Sequence, residues 1–288
     1  MNTPRKLFQR GALAVLLLLA AAGAMAQDKN LYVFLCLGQS NMEGFPGIPD
    51  EDKAWSDPRF QLLAAVDFPA LKREAGQWYT AVPPLCRPGC GVSPADFFGR
   101  TLVARLPADI RIGVVSVAVA GSKIEVYDPA AVEAYAAASP AWRKGMIAAY
   151  GGNPYGRLVE LARQSQKVGV IKGILLHQGE GNTNDKTWPA QVKTLYERLL
   201  KDLNLQAADV PLIAGEVVGA DQQGKCASMN EIIATLPQAI PTAHVVSSAG
   251  CVCRPDHLHF TPEGYRELGK RNAEAMLPLL GAKPAGGK

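Results

Sequence analysis

The sequence predicts an α/β fold in which helices cover both faces of a mostly parallel, five-stranded sheet. Five short apolar runs have the length and composition of buried strands. Segments with a helical spacing of apolar residues separate most of these runs, and strands that alternate with helices are typical of a parallel sheet. The five predicted strands are residues 31–37, 112–119, 171–176, 211–215 and 244–248.

The helices are predicted from their start signals and from the spacing of their apolar residues. Ser93 and Pro94 mark one start, because a capping serine precedes a proline at the first helical position. Residues 155–166 and 187–203 have helical patterns of their own, and Thr261 with Pro262 opens a last helix that extends toward residue 280. The apolar face of the helix after Ser93 consists of Phe97, Phe98, Leu102, Val103 and Leu106.

Residues 1–26 have the pattern of a secretory signal peptide. A start with three basic residues is followed by an apolar run from Ala12, and Ala24 and Ala26 form a small-x-small cleavage site. The run is too short for a membrane anchor, which needs about 20 apolar residues. We therefore expect residues 27–288 to form a single domain that is secreted or periplasmic, with no membrane attachment after cleavage.

The charge balance argues against a polyanionic partner. The chain has 30 Lys and Arg residues and 26 Asp and Glu residues, and the predicted signal peptide contains three of the basic ones. The remaining 27 basic residues (30 minus three) nearly match the 26 acidic ones. Nucleic-acid binding calls for a concentrated basic patch, so no nucleic acid is expected as a partner.

Export would permit disulfides between some of the six cysteines. Cys36 lies inside the first predicted strand and is interpreted as a small buried hydrophobe. Cys86 and Cys90 form one plausible bridge, and Cys226 with Cys251 or Cys253 forms another, although sequence does not fix the connectivity. A zinc site is disfavoured because the chain has no pair of Cys-x2-Cys motifs. We expect neither a metal nor another cofactor.

Four segments are predicted to meet at one rim of the sheet, because active sites of open α/β sheets lie beyond the carboxyl ends of the strands. Together they offer a hydroxyl nucleophile, a base, a carboxylate and oxyanion donors, which are the parts of acyl transfer through a covalent intermediate. The segments and their candidate residues are "GQSNM" with Ser40, "VAVAGSKIE" with Gly121, "LLHQGEGN" with His177, Gln178 and Glu180, and "RPDHLHFTPEGY" with Asp256, His257 and His259.

Asp256 and His259 are three residues apart, just before the last helix. In a turn, this spacing lets the carboxylate reach the imidazole Nδ1 while the other ring nitrogen faces Ser40. Simpler interpretations remain open, because serine is common in turns and His257 with His259 could bind a metal or cap the helix. The α/β-hydrolase elbow is disfavoured, because Gly-x-Ser-x-Gly would need glycine where Met42 stands.

Three blocks of the sequence resemble a known family. The blocks "GQSNM", "HQGE" and "DHLHFTPEGYRELGKR" occur in the order found in the sialate O-acetylesterases and acetylxylan esterases of carbohydrate esterase family 6, within the SGNH (GDSL-like) hydrolases. The resemblance extends over about residues 31–271. It implies a flavodoxin-like, three-layer α/β/α sandwich and a serine esterase that needs no metal.

The resemblance also implies roles for individual residues. Ser40 matches the nucleophile, His259 the base and Asp256 its acidic partner. The oxyanion hole would consist of the N–H groups of Ser40 and Gly121 and the side-chain amide of Gln178. Glu180 is either an alternative acid or a scaffold residue, and we prefer Asp256 as the acid because its spacing to His259 is local.

Further residues near the rim are weaker candidates for substrate contacts. Gln39 and Asn41 flank Ser40, and their amides could tie the turn together or bind a sugar or acetyl oxygen. His257 is a departure from the expected pattern and could face the substrate. Four aromatic side chains could stack on sugars or belong to the core: Trp78, Tyr127, Trp142 and Trp188.

The predicted function is removal of acetyl groups from acetylated oligo- or polysaccharides, with acetylxylan or xylo-oligosaccharides as the preferred substrate. The alternative within the class is a sialate O-acetylesterase. The alternative from another class is a non-catalytic carbohydrate-binding protein on the same scaffold.

Overall fold

The computed structural model describes residues 27–281 and is built on a seven-stranded sheet with the order β3-β2-β4-β1-β5-β6-β7. β3 runs antiparallel to β2, and the other five neighbouring pairs are parallel. The strands are β1 (Leu31–Gly38), β2 (Phe60–Leu63), β3 (Trp78–Thr80), β4 (Arg111–Ala118), β5 (Val170–His177), β6 (Leu212–Gly215) and β7 (Ala243–Val246).

The five predicted strands are confirmed as β1, β4, β5, β6 and β7, each within two residues of its expected bounds. They are neighbours in the sheet, and their spatial order is second, first, third, fourth and fifth in the chain. That order is the flavodoxin-like one, in which the chain reverses direction across the sheet beside the first strand. The strands are recognisable in sequence because both faces are covered and their residues are nearly all buried.

The strand count of five is too low, because β2 and β3 extend the sheet beyond β4. β2 has four residues and β3 has three, so neither run is long enough to show a periodic pattern. β3 is the edge strand and is only partly buried. Short, half-exposed edge strands protect a sheet against further pairing. Because they are short and only partly apolar, they are also difficult to predict from sequence.

Helices cover the sheet on both faces, which confirms the three-layer prediction. α3 and α10 pack against each other on one face, and α6 and α7 cover the other. The predicted helix starts are present: Ser93 and Asp96 form a capping box at α3, and the Thr261 hydroxyl accepts the N–H of Gly264 at α10. The α-helices are α1 (Ser40–Glu43), α2 (Asp50–Ala54), α3 (Pro94–Arg105), α4 (Val132–Ala138), α5 (Ala141–Ala149), α6 (Pro154–Gln166), α7 (Trp188–Leu203), α8 (Met229–Ile233), α9 (Leu236–Ala239) and α10 (Pro262–Leu279), and 3₁₀ turns cover Pro69–Leu71, Ile124–Tyr127, Glu180–Asn182, Ala207–Asp209 and Ala220–Gln222.

The predicted signal peptide, residues 1–26, lies outside the described residues. Within residues 27–281, none of the helices combines the length and the apolar composition that a membrane crossing needs.

The predicted disulfides are absent, since all six cysteines are free thiols in the structure. Cys36 is buried in β1, as expected. Three of the other thiols have polar partners: Cys86 Sγ lies 3.1 Å from the Tyr150 hydroxyl, and Cys226 Sγ lies 3.9 Å from the carbonyl oxygen of Glu180. Cys253 Sγ lies 3.5 Å from the carbonyl oxygen of Gln222.

Candidate active site

The candidate site lies where β1, β4 and β5 end. Gly38, the last residue of β1, pairs with Ala118 of β4 on one side and with His177 of β5 on the other. The three strands therefore end at the same level, and the segments that follow them meet beyond the sheet. The loop before α10 joins them there and brings together the four segments predicted to form the rim.

The turn after β1 is tight. A Cβ on Gly38 would lie 2.0 Å from the carbonyl oxygen of His177, so a side chain at this position would clash with β5. The Gln39 N–H donates to the same His177 oxygen at 3.1 Å. Ser40 follows as the first residue of α1, where its own N–H has no helical acceptor.

A chain of hydrogen bonds joins Ser40, His259 and Asp256. His259 Nε2 lies 3.0 Å from Ser40 Oγ, and His259 Nδ1 lies 2.8 Å from Asp256 Oδ2. The other carboxylate oxygen of Asp256 accepts the N–H groups of Leu258 and His259 at 2.9 and 3.0 Å. The turn expected from the three-residue spacing is thus present.

The electrostatics of Asp256 suit an orienting carboxylate. Partial burial opposes its ionisation, but the hydrogen bonds from the His259 ring and from the two backbone N–H groups outweigh that effect and hold the pKa of Asp256 at about 2. An ionised Asp256 accepts a hydrogen bond from His259 Nδ1–H. The lone pair on Nε2 is then directed at the Ser40 hydroxyl.

The backbone N–H groups of Ser40 and Gly121 are without a protein acceptor among the described residues. Neither Ser40 N–H nor Gly121 N–H donates to any group within residues 27–281. Gly121 has φ of 62°, and a Cβ there would lie 2.9 Å from the Trp142 ring. Glycine is favoured on both counts. The family resemblance implies an oxyanion-hole role for these same two N–H groups.

Gln178 does not fit its predicted place as the third donor. Its side chain is buried, and Nε2 donates to Asn182 Oδ1 at 2.8 Å and lies 3.2 Å from Gln39 Oε1. Its Oε1 accepts the indole N–H of Trp188. With its hydrogen-bonding groups facing protein partners, Gln178 braces the loop after β5 and has no N–H left for a substrate oxygen.

Gln39 is held by the same network. Its Oε1 accepts the N–H of Gly181 at 3.0 Å in addition to the Gln178 amide. Its Nε2 donates to no acceptor within residues 27–281. Nε2 is therefore the group of Gln39 that could make the predicted contact with substrate.

Asn41 is a clamp on the loop that contains His259, and its predicted contact with substrate is wrong for this structure. Its side chain is fully buried; Nδ2 donates to the Leu258 carbonyl at 3.0 Å, and Oδ1 accepts the Phe260 N–H at 3.2 Å. The Tyr265 hydroxyl also donates to Oδ1, at 2.8 Å. Asn41 therefore holds the peptide groups on both sides of His259.

Glu180 lies beneath this clamp and not beside His259. Its Oε1 accepts from Asn41 Nδ2 at 2.5 Å and lies 3.8 Å from His177 Nε2. Burial opposes ionisation of Glu180, but its interactions with His177 and Asn41 prevail and lower its pKa. Of the two candidate acids, the structure places Asp256 on the imidazole and Glu180 on the amide that fixes the imidazole loop.

His257, the weaker candidate for a substrate contact, has one ring nitrogen occupied by the protein backbone. It adopts φ of 54°, and its Nδ1 lies 3.1 Å from the Gln222 carbonyl oxygen. The ring therefore fastens the loop before α10 to the 3₁₀ turn at Ala220–Gln222.

A family model matches most of the described residues. The model for carbohydrate esterases described as sialic acid-specific acetylesterases matches residues 30–278. The chain belongs to this family. It is therefore a serine esterase that acts on carbohydrate esters, as the resemblance predicted.

Solved structures confirm the fold. A protein from Arabidopsis thaliana aligns at 24% identity with a TM-score of 0.66, over 87% of this chain and 99% of that one. NanS aligns at 19% identity with a TM-score of 0.63, over 89% and 99%. A carbohydrate acetylesterase from Xanthomonas citri aligns at 20% identity with a TM-score of 0.61, over 87% of this chain but 56% of the Xanthomonas chain.

Phe45 and Arg254 form a stacked pair beside the imidazole of His259, which was not predicted from the sequence of this carbohydrate esterase. The Phe45 ring centroid lies 4.6 Å from that of His259, and Arg254 Cζ lies 4.2 Å from the Phe45 centroid. Arg254 is in no salt bridge within residues 27–281. The pair was not predictable, because Phe45 and Arg254 are more than 200 residues apart in the chain and neither belongs to a chemical motif.

Trp142 and Arg143 border the Gly121 loop. Trp142 is 52% exposed, and the Arg143 guanidinium lies 4.9 Å from its ring centroid. Arg143 also has no carboxylate partner within residues 27–281. Of the four aromatic candidates, Trp142 is thus available to a sugar, Tyr127 and Trp188 are buried core, and Trp78 lies in the edge strand β3.

Within residues 27–281, no three His, Cys, Asp or Glu side chains are grouped as ligands for a metal ion.

Proposed function

We propose that this carbohydrate esterase is an exported O-acetylesterase in which Ser40, His259 and Asp256 act as nucleophile, base and orienting acid. The observation that carries the proposal is the continuous chain of hydrogen bonds from Ser40 Oγ through both nitrogens of His259 to Asp256, with lengths of 3.0 and 2.8 Å.

The reaction begins with attack of Ser40 Oγ on the acetyl carbonyl carbon. His259 Nε2 takes the hydroxyl proton, and Asp256 stabilises the imidazolium that forms. The carbonyl oxygen becomes an oxyanion and accepts hydrogen bonds from the N–H groups of Ser40 and Gly121. As the tetrahedral intermediate collapses, His259 returns the proton to the sugar oxygen and the alcohol leaves. An acetyl group remains on Ser40.

The second half repeats these steps with water. His259 Nε2 takes a proton from the water that attacks the acetyl-Ser40 carbonyl, and the same two N–H groups hold the second oxyanion. The proton then passes from His259 to Ser40 Oγ, and acetate is released. No step requires a residue outside the hydrogen-bonded chain and the two N–H donors.

Replacement of the nucleophile tests the mechanism. Ser40→Ala should lower kcat for p-nitrophenyl acetate by several orders of magnitude without unfolding the protein, as loss of a triad member does in other serine hydrolases. A serine-directed phosphonate should label Ser40 in the wild type. Retained activity in Ser40→Ala, or labelling at another serine, would overturn the assignment.

The proposed substrate is acetylated xylan or its oligosaccharides. The exposed indole of Trp142 beside the Gly121 loop offers a stacking surface for a neutral sugar ring. The alternative substrate is an O-acetylated sialic acid, and Arg143 and Arg254 favour it, because guanidinium groups without a carboxylate partner are ready to bind an acid. A non-catalytic carbohydrate-binding role is set aside, since the family is one of esterases.

The two substrates are distinguished by measuring acetate release from acetylxylan and from O-acetylated sialic acid in parallel, with p-nitrophenyl acetate as a generic control. A kcat/KM that is higher for acetylxylan supports the preferred substrate. A higher value for O-acetylated sialic acid replaces it with the alternative.

A further inference from the structure

A buried carboxylate connects the helix of Ser40 to the loop of Gly121. Glu43 is the last residue of α1, three residues after Ser40, and only 4% of it is exposed. Its Oε1 accepts the N–H of Ala120 at 2.8 Å. One side chain thus spans the gap between the two segments that supply the N–H donors of the proposed oxyanion hole.

The hydrogen bond from the Ala120 N–H to Glu43 lies one residue before the Gly121 N–H, the donor of the proposed oxyanion hole. Ala120 immediately precedes Gly121, and the turn around them is closed by the bond from Ser122 N–H to the Val119 carbonyl at 3.2 Å. A glycine turn without such a bond can adopt many backbone conformations. A hydrogen bond to the preceding peptide N–H restricts the orientation of the peptide group that follows it. The Glu43 bond therefore restricts where the Gly121 N–H lies relative to the Ser40 N–H.

Arg87 stabilises the buried carboxylate of Glu43. Its Nη2 lies 2.7 Å from Glu43 Oε2, and its Nε lies 3.2 Å from Oε1. Burial raises the pKa of the Glu43 carboxyl, and Arg87 and the Ala120 N–H oppose the rise. A buried anion beside a developing oxyanion would repel it, and the two-point contact with Arg87 offsets that charge.

We propose that Glu43 is a positioning residue that sets the Gly121 N–H at the correct place for the oxyanion. It touches neither substrate nor reacting atoms and acts through the Ala120 peptide. The inference rests on the proposed function, since it concerns the oxyanion formed by attack of Ser40.

The test compares three variants with the wild type on p-nitrophenyl acetate. Glu43→Ala removes the acceptor, Glu43→Asp keeps the charge but shortens the reach, and Glu43→Gln keeps an acceptor oxygen for the Ala120 N–H. Loss of one oxyanion donor costs about 10²–10³-fold in kcat in a well-studied protease, and misplacement of one should cost less. We expect kcat to fall about 10- to 100-fold in Glu43→Ala and Glu43→Asp, with KM nearly unchanged and partial recovery in Glu43→Gln.

The second readout is binding of a tetrahedral mimic. An alkyl boronic acid forms a covalent bond to Ser40 Oγ and places a boron-bound oxygen where the oxyanion would lie. Its inhibition constant should rise by the same factor as kcat falls. A merely structural role would lower Tm without moving this constant relative to KM.

Asp52 provides the matched control. It is a fully buried carboxylate that also pairs with arginines, Arg100 at 2.5 Å and Arg266 at 3.2 Å, but it lies on α2 away from the Gly121 loop. Asp52→Ala should lower Tm and leave kcat per folded molecule and boronate affinity unchanged.

The two proposals fail in different ways. If Ser40→Ala remains active, the proposed function is wrong. If Ser40 is required but folded Glu43→Asp retains wild-type kcat and boronate affinity, only the role of Glu43 is overturned. If Glu43→Ala does not fold, Glu43→Asp alone decides the test.

Discussion

Asn41 Nδ2 and Glu180 Oε1 are hydrogen-bonded at 2.5 Å beneath the loop that contains His259. The bond orients the Asn41 amide so that Nδ2 also meets the Leu258 carbonyl and Oδ1 meets the Phe260 N–H. Glu180 thus influences the position of the His259 imidazole through Asn41, without touching that ring. This relationship explains how a carboxylate in the "HQGE" block can matter to the site without contacting its base.

Removal of the clamp should reduce catalysis more than stability. Asn41→Ala leaves the Leu258 carbonyl and the Phe260 N–H without their partner and lets His259 move relative to Ser40. A displacement of about 1 Å costs on the order of 10²-fold in rate, so we expect kcat to fall about 10²-fold. Steady-state kinetics per folded molecule, with thermal melting alongside, measures both effects.

Asn230 is the matched control for that variant. Its amide bridges the backbone N–H and carbonyl of Val217, at 2.9 and 3.1 Å, with the same chemistry as Asn41 but on α8. Asn230→Ala should lower Tm and leave kcat unchanged. Equal loss of kcat in the two alanine variants would show that loosening of the fold, and not the clamp, is responsible.

The sequence was sufficient for the parts of the site that depend on local spacing. Asp256 and His259 are three residues apart and meet in one turn, and Ser40 follows a strand with a pattern of its own. The bracing amides were misjudged because their partners are distant in the chain. Asn41 bonds to Leu258, 217 residues away, and Gln178 bonds to Gln39, 139 residues away. Only the folded sheet determines which of these side chains remain free for a substrate.

The arginines beside the site should matter only to an acidic substrate. Arg143→Met and Arg254→Met remove a charge but retain an apolar stem. If O-acetylated sialic acid is a substrate, each variant should lower its kcat/KM about 10-fold, which corresponds to about 1.4 kcal/mol, and leave p-nitrophenyl acetate unaffected. Arg105→Met, an exposed change on α3, serves as the control. Equal losses on the charged and the neutral ester would count against a carboxylate subsite.

Asp256 should make the folded state sensitive to acid. Its pKa is lowered from 3.8 to about 2 in the folded state, so its ionised form stabilises the fold above pH 3.8. That contribution is lost as pH falls from 3.8 toward 2. Calorimetric Tm values across this window should decline more steeply for the wild type than for Asp256→Asn, which has no proton to bind. Parallel curves for the two proteins would contradict the hydrogen-bonded state of this carboxylate.

Replacement of Asp256 and of Glu180 by their amides should have different effects, one on activity and the other chiefly on stability. Asp256→Asn should lower kcat by up to about 10⁴-fold, the scale seen for the corresponding change in a serine protease, because an amide favours the wrong imidazole tautomer. Glu180→Gln keeps an oxygen for the Asn41 amide and should chiefly lower stability, by about 1.5–3 kcal/mol for a weakened charge-assisted bond. Asp202→Asn, at a carboxylate bonded to the Tyr155 hydroxyl at 2.6 Å, controls for the chemical change itself. Activity per folded molecule and melting curves should be measured on all three. If Glu180→Gln is inactive and Asp256→Asn only weakened, Glu180 is the acid of the triad, and the hydrogen bond between Asp256 and His259 is not what orients the base.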